Sequence, residues 1–521
     1  MFSKSVRGRS RNSQRSEMAH RPRVRSRSPR DIRRRENQEI NVRRARRGQS
    51  RQGRGNQQIF TTKRLMLKMI VSNLQPLAIT GDTNFQDFVK ALKPTVSIPN
   101  TSLMRSELLG VYEEEKMVVR SSLDAADDVV LTCELWRSRA EDHYLTVRCH
   151  VVDRFGKFRS YMLETTSIFG DNSAGSIINQ LSGIMEAWGI REKVHTVVTA
   201  GMPQQREFKA KWILQPCFAY TLNMIFSKLL ECDKGLKEAL RKCKDIVRFF
   251  KSDAEAEQKL REFRNQLGIP EEELIVHTGE GWLTLLPMLE QLDRQYMAML
   301  LVFNQRGSDH FTLTDNDKSK MKNIISALKP LSEATSMLKR EGFDTISVII
   351  PLLKKLVDDL AKQGREGNKT AALLLSKCKE CFGNVNNHKL ALITALDPRF
   401  KDLLEEQDKQ RVMDKIIQEL STAEPASSTA PNYKQLLDDY MTSEPLPEGG
   451  NPLAWWKHTG SKKFKGISKF AVKKLGTVST AVPLDRAFSA AEDRFCCLRS
   501  CLEPENLNMI LFLNSNWDTR S

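Results

Sequence analysis

Arginine dominates the first 55 residues, where 18 Arg and one Lys stand against Glu17, Asp31, Glu36 and Glu39, a net +15 within the chain's total of +18. The guanidinium fork makes paired hydrogen bonds to phosphate oxygens, so the runs Arg33, Arg34, Arg35 and Arg43, Arg44, Arg46, Arg47 read as nucleic-acid contacts. Neutralising about eight phosphates would give a log affinity slope near −7 against log salt, strong binding that is blind to base sequence. The same runs suit a nuclear import signal, and the two roles are compatible. A second candidate is Cys378 and Cys381, a CxxC with His388 nearby. A structural zinc site needs four ligands, and neither a second CxxC nor an HxxxH completes this one, so the run AALLLSKCKECF reads as a helix burying Leu374, Cys378 and Phe382. No metal and no cofactor are expected.

Those candidates need elements to carry them. Residues 1–58 have too few large apolar residues to build a core and are expected to form a disordered basic arm. The remainder is nearly neutral and long enough for two or three cores, with no apolar run of membrane-spanning length. Over 59–122, helical spacing at Leu65, Ile70 and Leu74, then Thr83 as a cap before Phe85, Phe88, Val89 and Leu92, predicts two or three short helices. Over 123–230 the pattern changes. DVVLTCELW, HYLTVRCHVVD and KFRSYMLETTSI predict a three-strand antiparallel meander, followed by a helix capped by Ser173 and stopped at Gly189, the strand VHTVVTA and a second amphipathic helix. That order belongs to an RNase H-like α/β (α+β) core. Long helices fill 231–445, and a Pro, Ser and Ala linker falls near the end of that block.

The segment 451–517, with NPLAWW, AVPLDRAFSAAEDRF and LEPENLNMILFLNSNW, resembles the C-terminal dimerisation region of hAT-superfamily transposases and of the BED-type zinc finger proteins related to them. LQPLAI, FQDFVKAL and SIPN, and later ALDPRFKDL, extend the resemblance over roughly residues 59–520. It implies that 59–122 is a DNA-binding and pairing module, that the helical block is an insertion in the RNase H-like core, and that 446–521 returns to complete that core. It also implies a homodimer, with Phe488, Met509, Leu511, Phe512 and Trp517 at the interface. No Cys2His2 spacing of a BED finger occurs in these 521 residues.

The resemblance further implies where a two-metal nuclease would hold its ions. The family's first carboxylate, an Asp in D-x-W, corresponds to Glu134 in LTCELW; its second, in V-T-D-N, to Ala200 in VVTAGM, with Gly201 in place of the Asn. The third, a Glu in S-E-R-x-F-S, corresponds to Asp485 in LDRAFS, and the His of C-x-x-H to Tyr220, three residues after Cys217. One side chain is a methylene too long, one too short, and alanine brings no oxygen at all. The expectation is a nuclear protein that no longer cuts DNA and acts as a dimeric DNA- or chromatin-binding factor in transcription regulation. The alternatives are a residual nuclease with a degenerate metal site and an RNA-associated protein binding through its RG and RS arm.

Overall fold

The structure, a computed structural model, describes residues 62–168, 173–202, 212–277, 282–338, 340, 345–383, 388–423, 431–481 and 497–517. The basic runs at 33–35 and 43–47, Asp485 and Phe488 lie outside the described residues. The chain divides into Met1–Leu65, whose described residues 62–65 are helical, and Met66–Ser521, which carries the fold set out below.

Five strands form one sheet in the order β3-β2-β1-β4-β5: β1 Val129–Arg137, β2 His143–Val152, β3 Phe158–Ser167, β4 Val194–Ala200 and β5 Ile213–Pro216. β1, β2 and β3 run antiparallel as a meander, whereas β4 and β5 run parallel to β1, giving the mixed sheet of an RNase H-like core. Successive side chains on a strand point to opposite faces, and both faces here are apolar. Leu131, Cys133 and Val197 pack among the helices Thr101–Asp124, Ala174–Ala187 and Pro504–Asn516, while Val130, Val198 and Ala200 join the helical block that begins with Phe218–Cys232. Burial on both sides explains why β1 and β4 lack a strict alternation of apolar and polar residues. β5 was not expected: four residues ending in Pro216 carry too little alternation to show as a strand.

The N-terminal module departs from the expected short helices. Thr101–Asp124 is a single helix of 24 residues, capped by the Asn100 side chain, which accepts from Leu103 N at 2.9 Å. Met104, Leu108, Val111, Tyr112, Val119 and Leu123 form the buried stripe that keeps it continuous. In the helix Thr83–Leu92 the cap is Asp82 and not Thr83, since the Asp82 carboxylate accepts from Phe85 N at 2.8 Å and offers a stronger acceptor than a hydroxyl. Ser173 caps its helix as expected, and Gly189, at φ +68°, ends it.

The C-terminal helix Pro504–Asn516 completes the core by lying along the edge strand β3. Asn516 Oδ1 accepts from Met162 N at 3.0 Å and its Nδ2 donates to Met162 O at 2.8 Å, while Asn508 Oδ1 accepts from Thr165 N at 2.9 Å. Two amide side chains thus stand in for the missing neighbour of an edge strand. Replacing Asn516 with Leu leaves both Met162 backbone groups buried without partners, so a loss of about 1–3 kcal/mol is expected in urea unfolding.

ALDPRFKDL, which looked like a family echo, is a buried polar joint. Arg399 Nη2 lies 2.7 Å from Asp397 Oδ2, both side chains fully buried, and Ser347 Oγ donates to the same oxygen at 2.6 Å. Lys401 Nζ donates to Tyr440 O at 2.9 Å, and Arg399 Nη1 to Gly450 O at 3.3 Å. These groups tie the helical block to the segment around Trp456, whose Nε1 donates to Leu396 O at 2.7 Å.

His150 on β2 bridges Thr132 Oγ1 (3.0 Å) and Ser160 Oγ (2.8 Å), and burial, then the nearby Arg148 charge, depress its pKa to about 3. The unfolded chain takes up this proton near pH 6.5 and the folded chain only near 3. Stability is therefore independent of this group above pH 6.5 and falls as pH drops through that interval. Thermal unfolding from pH 7 to 4.5 is expected to show a shallower decline for His150→Gln than for the parent.

Candidate active site

The β1 and β4 ladder sets the first two acidic positions side by side, because Glu134 is paired in register with Ala200. An RNase H-like nuclease would place two carboxylates here, at the C-terminal ends of adjacent parallel strands. Glu134 supplies one, and Ala200, only 4% exposed, closes the other position with a methyl group. Gly201 then turns the chain at φ +80°, and a Cβ there would stand 3.3 Å from Leu135 O, so the Asn of the family pattern would be strained on this backbone.

A cation is already seated beside Glu134. Arg499 Nη1 lies 3.1 Å from Glu134 Oε1, with the Arg side chain 2% and the Glu side chain 10% exposed. The guanidinium lies 3.7 Å from the centroid of the Trp136 ring, two residues along the same strand. Trp136 is itself fixed: it stacks on Tyr144 at 4.5 Å and its Nε1 donates to Thr146 Oγ1 at 3.0 Å, which in turn is 2.9 Å from Thr165 Oγ1. Ion pairing on one side and the aromatic face on the other hold a planar guanidinium far better than they would an ammonium.

The described residues at these strand ends do not by themselves supply the ligands of a metal pair. Mg²⁺ requires near-octahedral oxygen ligation at about 2.0–2.1 Å. Glu134 is the one carboxylate this pair of strand ends offers among the described residues, and the guanidinium competes for it. Among the described residues no group of three or more His, Cys, Asp or Glu is placed to hold a metal ion.

The C-x-x-H remnant acquires a different use. Cys217 caps the helix Phe218–Cys232, its Sγ accepting from Tyr220 N at 3.5 Å and from Ala481 N at 3.1 Å. Phe218 N donates to Ser479 O at 3.0 Å, so this turn binds the segment leading toward Asp485. Tyr220 itself points outward, 44% exposed. Cys378 is buried, its thiol pushed up to about 12 by that burial, and the neighbouring Phe382 lies 5.6 Å from Phe218, consistent with packing.

The expected interface residues divide. Phe512 is fully buried, edge-on to Tyr112 at 4.9 Å and stacked on Trp188 at 6.1 Å, and Leu511 is 5% exposed. Both lie in the chain's own core and offer no surface to a partner, a correction that follows from the helix's role in covering β3. Met509 and Trp517 are half-buried at its margin. Arg499 was missed altogether: in LRSCLEPENL it is one basic residue among many, and its partner lies 365 positions away.

Three family models match the chain: the hAT family C-terminal dimerisation region at 436–517, the ZBED1 RNase-like domain at 132–213 and the ZBED1 RNase-like helical domain at 215–327. Similar proteins include zinc finger BED domain-containing protein 4 of Homo sapiens, 24% identical over 87% of this chain and 43% of its own length. RICESLEEPER 2 of Oryza sativa subsp. japonica is 21% identical over 64% of this chain and 49% of its own, and a putative AC transposase of Zea mays 21% over 74% and 52%. The chain spans about half the length of the curated relatives it matches. No described helix is long and apolar enough to cross a membrane.

Proposed function

We propose that this relative of hAT transposases and BED zinc finger proteins is a dimeric nuclear factor, bound to DNA or chromatin in transcription regulation, whose nuclease centre has become a structural joint. The observation that carries the reading is Arg499 on Glu134 beside Ala200: a fixed guanidinium stands where divalent ions would have to bind, next to a position with no oxygen. The matched dimerisation region supports a homodimer, and of the expected interface residues Met509 and Trp517 are the described ones that retain surface for a second copy. The arginine runs at 33–35 and 43–47 supply phosphate contacts and a nuclear import signal.

A residual nuclease would require Arg499 to withdraw and a carboxylate to be recruited from elsewhere, with Asp485 as the surviving third ligand. Incubating the full chain with supercoiled plasmid in Mg²⁺ or Mn²⁺ separates the readings. Retarded but unbroken plasmid is expected, and metal-dependent nicking that disappears in Glu134→Ala would favour the nuclease.

A further inference from the structure

At the opposite end of the sheet from Glu134, a cavity of about 1030 Å³ opens between the turn after β2 and the helix Lys465–Leu475. Its lining carries Arg154, Arg159, Lys457, Lys465, Lys469 and Lys473 against three carboxylates, Asp127, Asp128 and Asp153. Two of those acids are committed: Asp128 lies 2.6 Å from Lys473 Nζ, and Asp153 lies 3.2 Å from Arg159 Nε while also accepting from the Phe155 and Lys157 amides. Arg154, Lys457, Lys465 and Lys469 have no carboxylate partner among the described residues. The charge has a source in the sequence, since residues 449–484 contain seven Lys and neither Asp nor Glu.

Lys465, Lys469 and Lys473 repeat at i, i+4 and i+8 and so form one stripe, about 12 Å long at 1.5 Å per residue. Like charges at this spacing repel and weaken a helix; Asp128 offsets Lys473, while Lys465 and Lys469 remain without a carboxylate among the described residues. A stripe of that length meets on the order of two to three successive phosphates of one duplex strand, since they wind about the axis as they rise. The cations come from both the turn after β2 and the helix Lys465–Leu475, and six of them are more than a single phosphate group needs. His195 at its floor is held neutral, its pKa lowered to about 4 chiefly by burial and next by Lys473, as expected beside excess positive charge.

We propose that this groove grips one strand of a DNA duplex through its phosphodiester backbone, giving the folded body a DNA site separate from the arginine arm. The proposal rests on the DNA-binding reading above for its class of ligand, and the two can fail independently. Binding of the full chain to a random-sequence 20-base-pair duplex would be followed by fluorescence anisotropy between 50 and 300 mM salt. Three variants are compared with the parent: Arg154→Gln/Lys465→Gln/Lys469→Gln in the groove, all 18 arginines of residues 1–55 to Gln, and both sets together.

The groove variant is expected to melt like the parent, because its three side chains are exposed, yet to bind at least tenfold more weakly at 150 mM salt. The slope of log affinity against log salt should shrink by about 2–3, near 0.9 for each lost phosphate contact. The arm variant should keep a measurable slope that only the combined variant abolishes. An unchanged slope in the groove variant, with all binding lost in the arm variant, would overturn the groove and leave the DNA reading standing. Absence of duplex binding by the parent would overturn both. If the groove substitutions abolished polyglutamate binding but spared DNA, the groove would belong to an acidic protein segment and the proposal would fall.

Discussion

Replacing Arg499 with alanine is expected to destabilise the protein by about 3–5 kcal/mol, because it removes the cation paired with a carboxylate only 10% exposed. The loss has two sources. Glu134 forfeits its ion pair at 3.1 Å, and the Trp136 face loses a guanidinium 3.7 Å from its centroid. Arg499→Lys keeps the charge but not the planar stacking and should fall between the two. Glu134→Leu combined with Arg499→Leu should recover most of the stability, since replacing a buried pair with apolar groups is often neutral. Urea unfolding followed by tryptophan fluorescence reads all four proteins. A double variant as unstable as Arg499→Ala would show that the pair does more than compensate its own burial.

Phe512→Ala is the second large effect, about 3–5 kcal/mol from the lost burial and the cavity left between Tyr112 and Trp188. It also separates two roles that a single C-terminal sequence pattern runs together. If Phe512 belongs to the chain's own core, the variant melts at lower temperature while its sedimentation at equilibrium, below that temperature, remains that of the parent. If it were an interface residue, dimerisation would weaken with little change in the monomer's own unfolding. Deleting the region from Asn451 onward tests neither, because the helix Pro504–Asn516 covers β3 and its removal exposes the core.

Strand identity was legible wherever side-chain periodicity was set locally. Leu145, Val147, Cys149 and Val151 announced β2 by alternation, and Ser173 and Gly189 marked both ends of a helix, because capping and left-handed geometry depend on a few neighbouring residues. β5 and the unbroken Thr101–Asp124 helix were less legible. The first owes its existence to pairing with β4, and the second to a partner stripe that includes the distant Phe512. At the site, the loss of an oxygen at Ala200 could be read from the sequence once the family resemblance fixed the alignment. The guanidinium that stands beside it could not. Nothing local distinguishes Arg499 from other arginines until the fold carries it across 365 residues to Glu134. Similarly, Cys217 stood in a family motif and ALDPRFKDL only extended the resemblance, and their roles as a helix cap and a buried joint are fixed by contacts with Ala481 and Ser347.

The most direct test of the central idea, that Arg499 has taken the place of divalent ions at the strand ends, is Mn²⁺ binding to the full chain measured by electron paramagnetic resonance. The free-ion signal should persist at stoichiometric Mn²⁺, and Glu134→Ala should leave it unaltered. Two equivalents of Mn²⁺ bound tightly by the parent and released by Glu134→Ala would contradict the account.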